Sequence, residues 1–183
     1  MRVAVCDYGA GNVRSVLAAF ARLGADAVVV DTPDGVVAAD LAVLPGVGSA
    51  ASAMRMLRRR GLDDALRSRV AAGLPTLGIC LGLQLALERT AEDGGVDGLG
   101  LLPGRAVRLR AGRVPRIGWA PVDPGGAAYY FAHSYGAETP AATATSEGIV
   151  AEASAGSFLG VQFHPEKSGP AGARFLERCL SPA

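Results

Sequence analysis

Over the first half of the chain, short apolar runs alternate with stretches of helical spacing. Residues 3–6 form an apolar run that reads as a strand, closed by Asp7-Tyr8-Gly9-Ala10-Gly11. Val13, Val16, Leu17, Phe20 and Leu23 then recur at the spacing of one helix face and stop at Gly24, predicting a helix over 13–23. Residues 27–30 and 41–44 read as a second and a third strand. After the loop Pro45-Gly46-Val47-Gly48-Ser49 come helices to about Arg60 and over 62–72, a strand over 74–79 and a helix over 81–89. Strands alternating with helices predict a parallel sheet covered on both faces, with ligands bound beyond the C-terminal strand ends. Asp7, Pro45-Gly46 and Cys80 all fall at such ends.

From about Leu99 the texture changes. Residues 106–109, 117–122, 128–132, 149–153 and 158–163 read as strands separated by Gly- and Pro-rich turns, and 171–180 as a final helix. Residues 93–98 read as a surface loop. No linker sets this half apart, so the expectation is one α/β domain over 1–183: a flavodoxin-like parallel sheet flanked by helices, with an antiparallel extension in the C-terminal half.

Composition narrows the function classes. Half of the 183 residues are hydrophobic, 19% are charged and the net charge is +1, so no global field gathers nucleic acid or an anionic membrane. The run Arg58-Arg59-Arg60 reads as a solvated helix end. Cys6, Cys80 and Cys179 make no metal spacing and no even disulfide set, which suits a reducing cytoplasm and predicts no metal. No apolar run reaches the ~20 residues of a membrane helix, and the opening residues are too short an apolar run for a secretory signal.

Chemistry concentrates in two places. Gly78-Ile79-Cys80-Leu81-Gly82 lies at a strand-to-helix junction, the layout of a nucleophile elbow with cysteine in place of serine. A sulfur at a helix N-terminus is favoured as the thiolate. A buried structural cysteine is the other reading of this stretch alone. The second place is His164-Pro165-Glu166. Pro165 keeps His164 out of the helical region, and in an extended chain residues i and i+2 point the same way, so Glu166 can flank the His164 ring. A carboxylate on one ring nitrogen leaves the other as a base. Together with Cys80 this predicts nucleophile, base and orienting acid; the alternative is a strand-end histidine with a chance neighbour. Gly9-Ala10-Gly11 partly matches a dinucleotide fingerprint, but Arg14 stands where the third glycine belongs, so a plain tight turn is the stronger reading.

Gly78-x-Cys80-x-Gly82-x-Gln84 with His164-Pro165-Glu166 resembles the triad class of glutamine amidotransferases. Asp7-Tyr8-Gly9-Ala10-Gly11-Asn12-Val13-Arg14, Pro45-Gly46-Val47-Gly48, Ile117-Gly118-Trp119, Tyr130-Phe131-Ala132-His133-Ser134-Tyr135 and His164-Pro165-Glu166-Lys167-Ser168 resemble one branch of it, the glutaminase subunits of imidazole glycerol phosphate synthase, and span nearly the whole chain. The resemblance implies that L-glutamine is hydrolysed to glutamate and ammonia through a thioester on Cys80, without cofactor. His164 would shuttle protons and Glu166 orient it. The N–H of Leu81 and the Gly46-Val47-Gly48 loop would hold the oxyanion, and Gln84 with the backbone of His133-Ser134-Tyr135 would hold the substrate. It further implies a heterodimer with a (β/α)8-barrel cyclase of histidine biosynthesis, a separate chain given the length of this one, faced by Asn12, Trp119 and Tyr130.

Arg116, Ala120, Gly136 and Gly169 depart from that branch's usual pattern without touching the three chemical roles. Two other readings are weighed against this one. Another triad amidotransferase, such as the glutaminase of pyridoxal phosphate synthesis, fits Val47 and His133-Ser134-Tyr135 less well. A non-catalytic nucleotide-binding module would use the Gly9–Gly11 turn.

Overall fold

The computed structural model describes residues 1–9, 11–110 and 112–181, so Ala10 of the first motif lies outside the described residues. The chain runs β1 (Arg2–Cys6), α1 (Val13–Arg22), β2 (Asp26–Val30), α2 (Pro33–Val37), β3 (Leu41–Leu44), α3 (Ala50–Arg59), α4 (Leu62–Ala71), β4 (Thr76–Ile79) and α5 (Leu81–Ala86). It continues through β5 (Leu87–Thr90), β6 (Val96–Asp97), β7 (Leu102–Arg108), β8 (Arg116–Val122), β9 (Ala127–His133), β10 (Tyr135–Glu138), β11 (Ala142–Ser146), β12 (Ile149–Ala155), β13 (Phe158–Val161) and α6 (Gly169–Leu180). Short 3-10 turns lie at Glu92–Gly94 and Pro165–Lys167.

The main sheet has seven strands in the order β11-β12-β13-β4-β3-β1-β2. From β2 to β13 the neighbours are parallel, and β12 and β11 add on antiparallel. β3 and β4 are buried at every position, as expected of strands covered on both faces. Alternate residues feed two cores. Val3, Val5, Val43, Leu77 and Ile79 pack with Phe20 of α1 and Phe175 of α6. Ala4, Cys6, Ala42 and Leu44 pack with Met54, Leu57, Leu62 and Leu66 of α3 and α4. Each fully buried Leu or Phe contributes roughly 1.5–3 kcal/mol of transfer free energy. Two further sheets, β10-β7-β5-β6 and β8-β9, carry the texture change seen in the sequence. Among the described residues no helix is long and apolar enough to cross a membrane.

Several local expectations are corrected. The helix expected over 81–89 ends at Ala86, and Leu87 turns extended into β5. The reason is tertiary: the N–H groups of Leu99 and Leu101 take the carbonyls of Leu85 and Ala86, and β5 pairs with β6 and β7. The loop expected over 93–98 contains part of a 3-10 turn and β6. The short elements α2, β10 and β11 carry no strong periodicity and were not anticipated. Arg60 is not simply solvated: its guanidinium binds the Asp7 carbonyl and lies 3.9 Å from the Asp31 carboxylate.

Candidate active site

Cys80 sits between β4 and α5 with φ 54° and ψ −107°, a backbone region that a non-glycine residue rarely occupies. Such strain persists only where the surroundings enforce it. They do so here: the Cys80 N–H donates to the Val161 carbonyl of β13 at 2.7 Å. A Cβ on Gly82 would stand 2.0 Å from the Leu44 carbonyl oxygen, and one on Gly78 would stand 2.7 Å from the Phe158 ring. The two flanking glycines are therefore steric requirements of the turn. As the first residue of α5, Leu81 carries an N–H without an intrahelical acceptor.

His164 follows β13 and is 2% exposed at its side chain; its Nδ1 lies 2.9 Å from Glu166 Oε1, and the Glu166 side chain is 1% exposed. The pairing expected from i, i+2 is present, but its geometry is corrected. His164 is extended (φ −102°, ψ 94°), whereas Glu166 lies in the 3-10 turn begun by Pro165. Two further groups set the pair. Asn12 Nδ2 donates to Glu166 Oε1 at 3.2 Å. Ser168 Oγ donates to the His164 carbonyl at 2.6 Å and accepts from the Tyr130 N–H at 2.9 Å, tying the turn to β9. Burial alone would lower the His164 pKa. Hydrogen bonding and charge from Cys80 and Glu166 outweigh it and push it up to about 9. The ring therefore carries its proton at neutral pH, beside the Cys80 sulfur.

His133 behaves in the opposite way. Its Nδ1 is 2.8 Å from the Tyr135 carbonyl and its Nε2 is buried with no partner among the described residues. Burial lowers its pKa to about 4, opposed only in part by the Tyr135 contact and assisted by Arg116 and His164. It is neutral at pH 7 and cannot replace His164 as the charged partner of the sulfur.

A cavity of about 250 Å³ opens on the sulfur, lined by Val47, Gly48, Cys80, Leu81, Gln84, His133, Ser134 and Tyr135. The substrate-side residues expected from the sequence thus converge, with Gly46 packed behind: a Cβ there would be 2.5 Å from Leu81 Cβ. Gln84 Nε2 donates to the Tyr135 carbonyl at 2.8 Å and to Gln162 Oε1 at 3.1 Å, so its amide braces the pocket wall. Three contributors escaped the sequence reading. Gln162, fully buried, places Nε2 3.6 Å from Cys80 Sγ; its place two residues before His164 was the available signal. Glu92 lines the cavity, its pKa raised first by burial, and its carboxylate accepts the Ala50 N–H at 3.1 Å. Tyr8, also fully buried, donates its hydroxyl to the Pro45 carbonyl at 2.7 Å.

The residues expected to face a partner divide. Trp119 is 58% exposed on β8 beside Ile117 at 65%, so packing in the core is not its role. Tyr130 meets the Trp119 ring edge-on, with centroids 6.2 Å apart. Asn12 is engaged with Glu166.

Comparison with known proteins agrees with this geometry. The profile of the family "Glutamine amidotransferase class-I" matches residues 4–182. The chain is 46% identical to imidazole glycerol phosphate synthase subunit HisH of Symbiobacterium thermophilum, over 96% of this chain and 91% of that one. It is 42% identical to the same subunit of Thermus thermophilus, over 96% and 95%. It is 40% identical to the chloroplastic imidazole glycerol phosphate synthase hisHF of Arabidopsis thaliana, over 98% of this chain but 34% of that one. In fold it resembles a crystal structure of a glutamine amidotransferase, with TM-score 0.83 at 22% identity over 97% and 96% of the two chains. A strained cysteine elbow, a buried His–Glu pair at its sulfur and a family match over nearly the full length lead to one conclusion: this chain is a class-I glutamine amidotransferase.

Proposed function

We propose that this chain is the glutaminase subunit of imidazole glycerol phosphate synthase, working in histidine biosynthesis as a single amidotransferase domain over 1–183. The observation that carries the reading is the line Glu166–His164–Cys80 ending in the 250 Å³ cavity, small enough for a free amino acid. The names of the relatives favour this branch of the family.

The reaction follows from the groups present. The Cys80 thiolate attacks the side-chain amide carbon of glutamine. The developing oxyanion is held by the Leu81 N–H and by an N–H of the Gly46-Val47-Gly48 loop. The His164 imidazolium protonates the departing nitrogen, ammonia leaves and a glutamyl thioester remains. His164, now neutral, takes a proton from water as the water attacks, and glutamate departs from the regenerated sulfur. Glu166 holds the ring and stabilises its charged form. Glu92 offers a carboxylate to the substrate ammonium, while the backbone of His133, Ser134 and Tyr135 takes the substrate carboxylate. Gln84 supports that strand.

Ammonia released into water is protonated and lost, so it passes to a partner, the (β/α)8-barrel cyclase in a heterodimer. Ile117, Trp119 and Tyr130 offer the apolar, aromatic face such a partner needs. Three free cysteines suit a reducing cytoplasm. The test is glutamate release by the purified chain, alone and with the cyclase subunit plus its ribulosyl ligand. The expected result is slow turnover that rises sharply with both and vanishes in Cys80→Ala. Full activity in the chain alone would show that the site needs no partner to become active, and no activity in either setting from folded protein would refute the function.

A further inference from the structure

Between Gly98 and Val122 the chain carries five arginines and no acidic residue, although the whole molecule is nearly neutral at +1. Two of the five are neutralised: Arg105 pairs with Glu138 at 3.1 Å and Arg116 with Glu147 at 2.9 Å. Among the described residues Arg108, Arg110 and Arg113 take part in no ion pair. These three and Arg116 line one cavity of about 580 Å³, more than twice the volume of the substrate pocket. Its apolar lining includes Val107, Leu109, Ile149 and Val150. Its wall is close-packed at Gly136, where a Cβ would press on Leu109 and Ile149 at 3.1 and 3.2 Å. Ile117 lines both this cavity and the substrate pocket, so the two are neighbouring but separate.

Like charges gathered in a concavity repel more strongly than on an open, well-solvated surface. Here three unpaired guanidinium groups border one concavity, and Arg116 leaves its Nη1 buried without an acceptor while Nη2 binds Ser146 and Glu147. An anion in the cavity relieves that excess of positive charge. The guanidinium fork matches phosphate oxygens two at a time. Several forks at one site favour a dianion over a single carboxylate, and the apolar lining favours a ligand with a hydrophobic body. A volume near 580 Å³ is that of a small-molecule site. From this arrangement we propose that the cavity between β7, β10, β12 and the arginine-bearing segment before β8 is a second binding site, for a phosphate monoester with an apolar body.

The test is isothermal titration of the purified chain with phenyl phosphate, inorganic phosphate and benzyl alcohol at low and high salt, repeated on the chain–cyclase complex. Phenyl phosphate is expected to bind saturably, about tenfold or more tighter than inorganic phosphate because the ring is buried, and more weakly at high salt. Benzyl alcohol is expected not to bind. The double variant R108Q/R113Q is expected to raise the phenyl phosphate Kd at least about tenfold, as loss of charge-assisted bonds predicts, with its melting curve and basal glutaminase rate unchanged. Equal affinity for phenyl and inorganic phosphate, or a Kd untouched by the double variant, would overturn the site. Loss of phenyl phosphate binding on adding the cyclase would also overturn it and assign the arginines to the subunit interface.

Discussion

Tyr8 is fully buried and uses its hydroxyl on one acceptor, the Pro45 carbonyl that begins the 45–48 loop. Tyr8→Phe removes that bond and little else. We expect a stability loss of about 1–2 kcal/mol in denaturant titration and a several-fold lower kcat with KM for glutamine unchanged; a change confined to KM would place Tyr8 with substrate binding instead. Gly82→Ala is expected to be far more damaging, because the Leu44 carbonyl is backbone and cannot yield. A loss of at least about 2 kcal/mol is expected by the same titration. These steric demands are local, which is why Gly-x-Cys-x-Gly was legible in the sequence. Glu92 was not, because it reaches the pocket from the turn after β5, outside every motif, and Gln162 carried only the weak signal of its place two residues before His164.

Among the secondary-structure elements, α4 depends on a residue that sequence patterning misses. Arg69 is 1% exposed, yet its guanidinium donates to the carbonyls of Val36, Val37, Ala39, Asp40 and Pro75. It joins the end of α2, the approach to β3 and the approach to β4. Arg69→Met would leave those carbonyls unpaired in the interior. With several buried carbonyls left unsatisfied at about 1–3 kcal/mol each, a loss of at least about 3 kcal/mol is expected in chemical denaturation, and Arg69→Lys should recover only part of it because an ammonium lacks the planar fork. A charged residue on a helix reads as surface unless its partners are known, and these partners are distant carbonyls. The end of α5 was misread for a similar reason. Leu87 and Glu88 continue the helical spacing of Leu81, Leu83 and Leu85, but hydrogen bonds from 98–101 and pairing with β7 outweigh a propensity difference of tenths of a kcal/mol. That β1 to β4 run parallel was legible because short apolar runs alternate there with helical spacing; their order in the sheet was not.

Across the protein the two histidines shape the pH dependence with opposite signs. His164 is raised to about 9 in the folded chain, so its stabilising contribution is complete below pH 6.5 and is lost as pH rises towards 9. His133 is lowered to about 4, so stability falls as pH drops from 6.5 towards 4, where the unfolded chain takes up the proton first. Melting temperature against pH should therefore show two limbs meeting near 6.5. Glu166→Gln should flatten the alkaline limb and His133→Asn the acid limb; an unchanged limb in either variant would refute its assignment. The partner-facing surface gives a separate prediction. With Trp119 58% exposed, Trp119→Ala should leave the isolated chain's stability within about 0.5 kcal/mol. Affinity for the cyclase, read by titration, should weaken by about 2 kcal/mol. The α/β layout and the pairing of Glu166 with His164 near Cys80 were legible at this level, whereas the arginine-lined cavity was not, because it forms only when β7, β10 and β12 come together.

The 45–48 loop, proposed above to hold the oxyanion, is fastened on both sides. Upstream, Tyr8 holds the Pro45 carbonyl. Downstream, Asp93 accepts from the Ser49 hydroxyl at 2.6 Å and the Ala51 N–H at 3.0 Å, and Glu92 accepts from the Ala50 N–H. Between these anchors only Gly46, Val47 and Gly48 remain, with Gly48 at φ 99° and Val47 40% exposed. A span tethered so tightly cannot swing aside like a flap. It can only rotate as a crankshaft does, one peptide plane turning about fixed bearings while the flanking dihedral angles compensate. Such a rotation displaces almost no solvent and needs no reach across the pocket. Because Glu92 is both a bearing and a wall of the glutamine pocket, a substrate that draws on its carboxylate also adjusts the axle on which that peptide turns.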